Sequence, residues 1–459
     1  MAGSDNTFDL VVLGGGSGGY ACALRAAELG LRVALVERDK LGGTCLHRGC
    51  IPTKALLHAG EIADQTRDSE QFGIRATLDG IDMAGVHAYK DGVVGKLHKG
   101  LQGLVRSRQI TYVEGEGRLV SPTAVEVGGV RYEGRHIVLA TGSVPRSLPG
   151  LPIDGQRVIS SDHALLLDHV PRSAVVLGGG VIGVEFASAW RSFGSEVTIV
   201  EALPRLLPTE EESSSKLLER AYRRRGIRFE VGARFAGVES TDEGVRVSLE
   251  SGTVVDAELL LVAVGRGPVS EGLGYAEAGV EVERGFVKVD QWCQTSVPTI
   301  SAVGDLIPTL QLAHVGFGEG ILVAERVAGR TPAPIDYDGV PRITYSEPEV
   351  ASVGLTSTAA RERGHDVVEV TYDLAGNGRA QILRTAGAVK LVAARGGPVL
   401  GLHLVGSRVG ELLAESQLIY NWEAYADDVA ALIHPHPTLS EAVGEAHLAL
   451  AGKPLHAHG

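Results

Sequence analysis

A chain of 459 residues is longer than one ordinary hydrophobic core organises, and its length points to about three domains. Hydrophobic residues at 44% and charged residues at 22% are globular values that exclude wholesale disorder. The formal net charge of −13 excludes a general binder of nucleic acid or anionic membrane.

The chain opens MAGSDNTFDLVVLGGG, without the cationic start, apolar region and small-residue cleavage site of a signal peptide. No stretch approaches the ~18 uninterrupted apolar residues of a membrane span, so a cytoplasmic protein is expected. Four cysteines, Cys22, Cys45, Cys50 and Cys293, are too few for a secreted disulfide scaffold. A pair among them in a reducing compartment reads as catalytic.

Residues 8–13 form a buried-strand pattern, residues 20–30 an Ala- and Leu-rich helix, and residues 32–37 a second strand, together a βαβ unit. Gly14, Gly16 and Gly19 fall between the first strand and the helix. In that setting the first glycine makes the turn, the second admits a pyrophosphate to the backbone, and the third lets helix and strand approach. The helix N-terminus offers free N–H groups to the phosphates, and Glu37 can bond ribose hydroxyls.

Cys45 and Cys50 follow in GGTCLHRGCIPTK (42–54), where a helix is expected from Thr44. Five regular helical steps rise ~7.5 Å, whereas bridged Cα atoms lie ~4.4–6.8 Å apart. Some distortion is therefore needed, and Gly49 is placed to permit it. Such strain makes a bridge easier to reduce, as catalysis requires. Ordinary buried cysteines or metal ligands are the competing readings. A metal site would want further clustered ligands, and Cys22 and Cys293 stand apart as packing residues, so no metal is expected.

Residues 81–110 read as a long helix and residues 111–140 as short antiparallel strands. The βαβ design then returns over 173–201 with Gly178, Gly180, Gly183 and Glu201. The acid lies equally far from the first glycine in each copy, since 37 − 14 = 23 and 201 − 178 = 23. A carboxylate at Glu201 repels a 2′-phosphate, so NAD is expected over NADP. Arg205 nearby is read as a solvated surface charge. Residues 227–265 are again strand-rich, and Pro332 and Pro334 lead into a C-terminal α+β region.

The ordered set of both glycine loops, C-x₄-C-I-P-T-K, A-T-G-S (140–143), V-G-D (303–305) and H-P-H-P-T-L-S-E (434–441) resembles the pyridine nucleotide–disulfide oxidoreductases over essentially the whole chain. The resemblance implies an α/β fold with two Rossmann-like dinucleotide-binding domains and a C-terminal α+β dimerisation domain. An FAD-binding domain would span 1–145 and continue over 270–335, an NAD-binding domain 146–269, and the interface domain 336–459. FAD would be touched by Gly14 to Gly19, Glu37, Gly43, Thr44, Lys54, Gly117, Thr141, Gly142 and Ser143. Asp305 would bond its ribityl chain, with Gln311, Leu312, Ala313 and His314 closing over the flavin. NAD would be held by Gly178 to Glu185, Glu201 and Gly265.

By the same resemblance, Cys50 is the thiolate next to the flavin and Cys45 the exchange thiol, while Lys54 pairs with Glu185. His436 would be the acid–base catalyst, contributed by the second subunit of a homodimer, with a cis bond to Pro437. Glu441 would orient it, although Thr438-Leu-Ser-Glu441 also reads as a capping box for the last helix; His434 is the weaker candidate base. The branch implied oxidises dihydrolipoamide, carried on the lipoyl domain of a 2-oxo acid dehydrogenase acyltransferase. A glutathione- or mycothione-type reductase is the nearest rival, and Glu201 speaks against its NADPH. A non-enzymatic flavin-binding protein would have no use for Cys45, Cys50 and His436 together. One departure is His47-Arg48 inside the redox segment, where many relatives carry Asn-Val.

Overall fold

Residues 6–456 are described by a computed structural model; the expected domain limits at residues 1 and 459 lie outside that range. The first apolar run is the strand Thr7–Leu13, parallel to Val33–Glu37 on one side and to Val130–Leu139 on the other. Strands buried on both faces read as continuous apolar runs, and Leu10, Val12, Leu35 and Leu139 are accordingly buried. The helix Ser17–Glu28 turns Gly18, Cys22, Ala23 and Ala26 inward. These small residues let the helix Ala313–Val327 come close: a methyl group at Gly320 would stand 2.3 Å from the Gly18 carbonyl.

The long helix expected over 81–110 is Met83–Ser107, capped by the Asp82 carboxylate on Ala84 N at 3.0 Å. One expectation needs correction here. The strand after it, Thr111–Glu114, pairs parallel with Val33–Glu37, not antiparallel. A strand reached through a helical crossover arrives in the parallel sense. The antiparallel meander begins only with Gly117–Ser121, Ala124–Val127 and the first half of Val130–Leu139. Ile300–Ala302 returns to the same sheet, parallel to Val130–Leu139. These elements belong to a compact unit built, among the described residues, from 6–56, 82–146 and 265–337.

A second unit comprises, among the described residues, 57–81, 147–264 and 338–456. Its βαβ copy is Ser173–Leu177, Val181–Phe193 and Glu196–Glu201. Arg228–Val231, Leu259–Val262 and Val158–Ile159 complete an all-parallel sheet of five strands. Phe235–Ser240, Val245–Leu249 and Val254–Ala257 form an antiparallel sheet. The C-terminal part is a five-stranded antiparallel sheet in the order Arg342–Thr344, Glu349–Gly354, Val399–Gly406, Ala388–Ala394, Val367–Asp373. The helix Glu441–Leu450 buries Ala442, Val443 and Ala446 in the same cluster as Leu391 and Leu404. The architecture is thus mixed α/β, with two Rossmann-like sheets and an α+β C-terminal region. Among the described residues, no helix is long and apolar enough to cross a membrane.

Candidate active site

The two glycine loops are built alike. Gly14 and Gly178 have φ of 110° and 114°, and a methyl group on either would collide with the Ala140 or Ala263 carbonyl at 2.2 and 2.3 Å. On Gly19 and Gly183 it would strike the Gly14 or Gly178 carbonyl at 1.8 and 2.0 Å. Over Gly16 and Gly180, by contrast, nothing stands within 4 Å, and each begins its helix with no side-chain cap. Turn, close packing and open cradle thus fall on the glycines that the motif assigns to them. The uncapped N–H groups suit a pyrophosphate, so both loops fit a dinucleotide.

The matched acids close their loops in the same way. Glu37 accepts from Gly15 N at 2.7 Å and Asp39 N at 2.8 Å. Glu201 accepts from Gly179 N at 2.6 Å and Leu203 N at 2.7 Å. Arg205 is not the solvated charge expected. It is half-buried, donating from Nη2 to the carbonyls of Pro208 (2.7 Å) and Glu210 (3.0 Å), while its Nε is buried with no partner. The carbonyls of the loop after Glu201 turn inward and capture the guanidinium.

The redox segment is seated on the first loop. Gly42 N donates to the Gly15 carbonyl at 2.8 Å, and Gly43, at φ 60°, has room for no methyl group because Gly16 Cα would lie 2.6 Å away. The helix expected from Thr44 breaks in two, Gly43–Arg48 and Cys50–Arg67, with Gly49 between them at φ −143° and ψ −112°. A methyl group there would stand 3.0 Å from the Thr44 carbonyl. The distortion demanded by the C-x₄-C spacing falls at Gly49.

Cys45 and Cys50 meet across this break. The Cys45 thiol is pushed well above the usual range, first by its hydrogen bond to Cys50 and then by burial, with Lys54 opposing. Cys50 is the first residue of an 18-residue helix, the end at which backbone N–H groups stabilise a thiolate. Tyr20, which the sequence reading missed, lies beside the pair: burial, then the charges of Cys45 and Cys50, push its phenol up to about 12. His47 and Arg48 turn to local partners. His47 Nε2 donates to the Leu41 carbonyl at 3.0 Å with its ring edge-on to His98, and Arg48 pairs with Asp39 at 2.7 Å.

The remaining first-unit candidates form a hydrogen-bonded strip. Thr141 donates to the Val269 carbonyl at 2.6 Å, and the Gly142 carbonyl accepts from Val269 N at 2.9 Å. Ser143 donates to Asp305 at 2.5 Å. Arg266, adjacent to Gly265 and also missed, donates to the Ser143 hydroxyl and carbonyl, both at 2.7 Å. The turn Gly304–Leu306 that carries Asp305 is held from behind by Glu319. This buried carboxylate accepts from Gly304 N (2.6 Å), Thr309 (2.8 Å) and Tyr337 (3.0 Å), and burial lifts it to about 7. Gln311 and Leu312 precede the helix that begins Ala313-His314, and Gln311 Nε2 is buried with no protein partner. That orphaned donor fits a cofactor acceptor. Gly117 is explained by packing, since a methyl group would strike Leu13 and Val36 at 2.6 and 2.8 Å. Cys22 and Cys293 are buried, and burial pushes Cys22 up to about 12.

In the second unit, Glu185 lies on the helix after the second loop and accepts from Tyr345 N at 2.9 Å. Lys54 belongs to the first unit, on the helix led by Cys50. His436 Nδ1 meets Glu441 Oε1 at 2.8 Å, and the cis bond to Pro437 is present. Glu441 does not have to choose between its two expected partners: its second oxygen accepts from Thr438 N at 2.7 Å. Only this half of the capping box forms. Thr438 Oγ1 donates to the Pro435 carbonyl instead, and the helix starts at Glu441 behind Ser440. Burial alone would raise the Glu441 carboxyl, but Thr438 N and His436 hold it below its usual value. Among the described residues, no group of three or more His, Cys, Asp or Glu could hold a metal ion.

Residues 8–320 match the model of the pyridine nucleotide–disulphide oxidoreductase family, and residues 340–447 that of its dimerisation domain. The chain is 41% identical to a dihydrolipoyl dehydrogenase of Bacillus subtilis, over 98% of this chain and 99% of that protein. It is 37% identical to the mitochondrial dihydrolipoyl dehydrogenase of Pisum sativum, over 99% and 93%. Among solved structures, LpdA from Mycobacterium tuberculosis superposes with a TM-score of 0.90 at 27% identity, covering 96% of this chain and 99% of that one.

Proposed function

The chain belongs to the pyridine nucleotide–disulphide oxidoreductase family, and on that premise we propose that it oxidises dihydrolipoamide with NAD⁺ through the Cys45–Cys50 pair. Its cofactors are FAD and NAD. The observation that carries the reading is the helix break at Gly49, which brings Cys45 into hydrogen-bond contact with Cys50 and leaves Cys50 leading the longer helix.

At the exchange step, one thiolate of the substrate attacks Cys45 Sγ, the Cys45–Cys50 bond breaks, and its electron pair leaves on Cys50. His436 takes the substrate's thiol proton. With Nδ1 bonded to Glu441, Nε2 is the accepting atom, and a thiol needs such a base because only the thiolate attacks. The second substrate sulfur then displaces Cys45, which takes up a proton, and the product departs as the cyclic disulfide. Bound FAD would supply the two-electron chemistry that links the cysteine pair to NAD⁺. Gly14 to Gly19 would hold its pyrophosphate, Glu37 its adenosine ribose, Asp305 its ribityl chain, and Gln311 to His314 one edge of its ring. Gly178 to Gly183 and Glu201 would hold NAD.

The base comes from the second subunit of a homodimer, and the dithiol arrives on the lipoyl domain of a 2-oxo acid dehydrogenase acyltransferase. The dimerisation-domain match supports the first. So do Leu432 and Ile433, adjacent large apolar residues 59% and 99% exposed just before His434, since contiguous apolar surface left bare marks interfaces. The test is a steady-state assay of the purified protein with dihydrolipoamide and either NAD⁺ or NADP⁺. NAD⁺-dependent turnover is expected. Activity confined to NADPH and a small disulfide, such as that of glutathione, would overturn the reading.

A further inference from the structure

His434 stands two residues before the proposed base in His434-Pro435-His436-Pro437, and the mechanism gives it no part. The two imidazoles are treated differently by the fold. His436 is 76% exposed, whereas His434 is 12% exposed. His434 Nε2 donates to Glu415 Oε1 at 2.8 Å, and Glu415 belongs to the helix Leu413–Asn421. The other edge of the ring lies against Gly444 of the helix Glu441–Leu450, where a methyl group would stand 2.5 Å from Nδ1. The same helix begins with Glu441, which bonds His436. The sequence thus pairs two histidines, two apart, with two carboxylates: one pair faces outward and the other inward.

We propose that His434, clamped by Glu415 and seated on Gly444, is a positioning residue that fixes the segment carrying His436 against Glu441. The inference rests on the reading of His436 as the base. Pro435 locks the φ that lies between them, so fewer rotations remain between the His434 ring and the His436 backbone. Anchoring one orients the other. The chemistry needs this because a base about 1 Å out of place can cost 10²-fold in rate. The clamp touches neither sulfur nor nucleotide loop, so it acts on the thiol half of the reaction alone.

The experiment compares His434→Ala, Gly444→Ala, Glu415→Ala, Glu415→Gln and His436→Ala holoenzymes in two assays. One is dihydrolipoamide oxidation, read as kcat and KM separately. The other is NADH oxidation by ferricyanide, which bypasses the thiols and reports an intact flavoprotein. His434→Ala, Gly444→Ala and Glu415→Ala are expected to lower kcat with dihydrolipoamide by about 10- to 100-fold with KM little changed, and to leave ferricyanide reduction as it was. Gly444→Ala removes no titratable group, so its loss reports displacement of the ring. Glu415→Gln, which keeps an acceptor for Nε2–H, is expected to restore most of the rate lost in Glu415→Ala. If the His434 and Gly444 variants match the parent while His436→Ala is slow, the clamp is overturned and the base stands. If His436→Ala itself oxidises dihydrolipoamide at the parent rate, both fall.

Discussion

At the residue scale, the redox pair divides its labour by position. Under the proposed mechanism Cys50, at the N-terminal end of its helix, is the thiolate, and Cys45, pushed up by its bond to Cys50 and by burial, is the thiol. Mild reduction of the holoenzyme is therefore expected to give a long-wavelength absorption band that Cys50→Ser abolishes and Cys45→Ser retains, checked by anaerobic titration. A band surviving Cys50→Ser would reverse the two roles. These residues were legible because their evidence is local. The spacing of the cysteines forced a distortion, and a glycine stood where it could occur. Arg266 was not legible: its partner Ser143 lies 123 residues away, and nothing beside it announces the contact. Glu319 left a fainter sign, one acid in the otherwise apolar run VGFGEGILVA. Arg205 misled the reading because charge near a loop usually faces water, and here backbone carbonyls replaced it.

At the scale of elements, the duplicated βαβ units are the part of the fold that sequence alone predicted most fully. Each glycine had a separate steric duty, and the collisions found at Gly14, Gly19, Gly178 and Gly183 match those duties. The orientation of Thr111–Glu114 was missed because strand direction depends on the preceding crossover and leaves no mark in the strand's own residues. The twin loops also allow a paired test. A methyl group at Gly19 or Gly183 meets a backbone carbonyl that cannot step aside, costing about 1–3 kcal/mol of local overpacking. Gly19→Ala is expected to purify with little flavin, read from its absorbance ratio. Gly183→Ala is expected to keep its flavin and raise KM for NAD⁺. Equal loss of flavin in both variants would contradict the separate assignment of the loops.

At the scale of the whole molecule, the strongly shifted acids tie stability to pH. Glu349 in the C-terminal sheet is lifted to about 7, chiefly by burial, then by the nearby charges of Glu347, Glu411 and Glu61, against a hydrogen bond from Gly410 N at 2.8 Å. A carboxyl whose folded value exceeds its unfolded one stabilises the fold below the unfolded value. That contribution is lost as pH rises from about 4.5 to about 7. Glu349→Gln, which keeps an acceptor for Gly410, is expected to come nearest the parent below pH 4.5, where both states of the parent keep the proton. At pH 8 it should be more stable by up to about 3 kcal/mol, the worth of a shift from 4.5 to about 7. Urea unfolding at the two values decides it; a variant less stable at pH 8 would place the ionised form among the stabilising groups. Quaternary structure carries a second expectation. Dilution below the dimer dissociation constant should abolish dihydrolipoamide oxidation before NADH–ferricyanide activity, followed by paired assays across a concentration series.

The interruption at Gly49 has a mechanical consequence. Cys45 rides on a rod of six residues, and Cys50 heads a rod of eighteen. The proposed exchange joins and parts these sulfurs at each turnover, and in one regular helix their Cα atoms would stand ~7.5 Å apart, beyond the ~4.4–6.8 Å of a bridge. Two helices meeting at Gly49 bring the sulfurs into contact while each helix keeps its own regular hydrogen bonding.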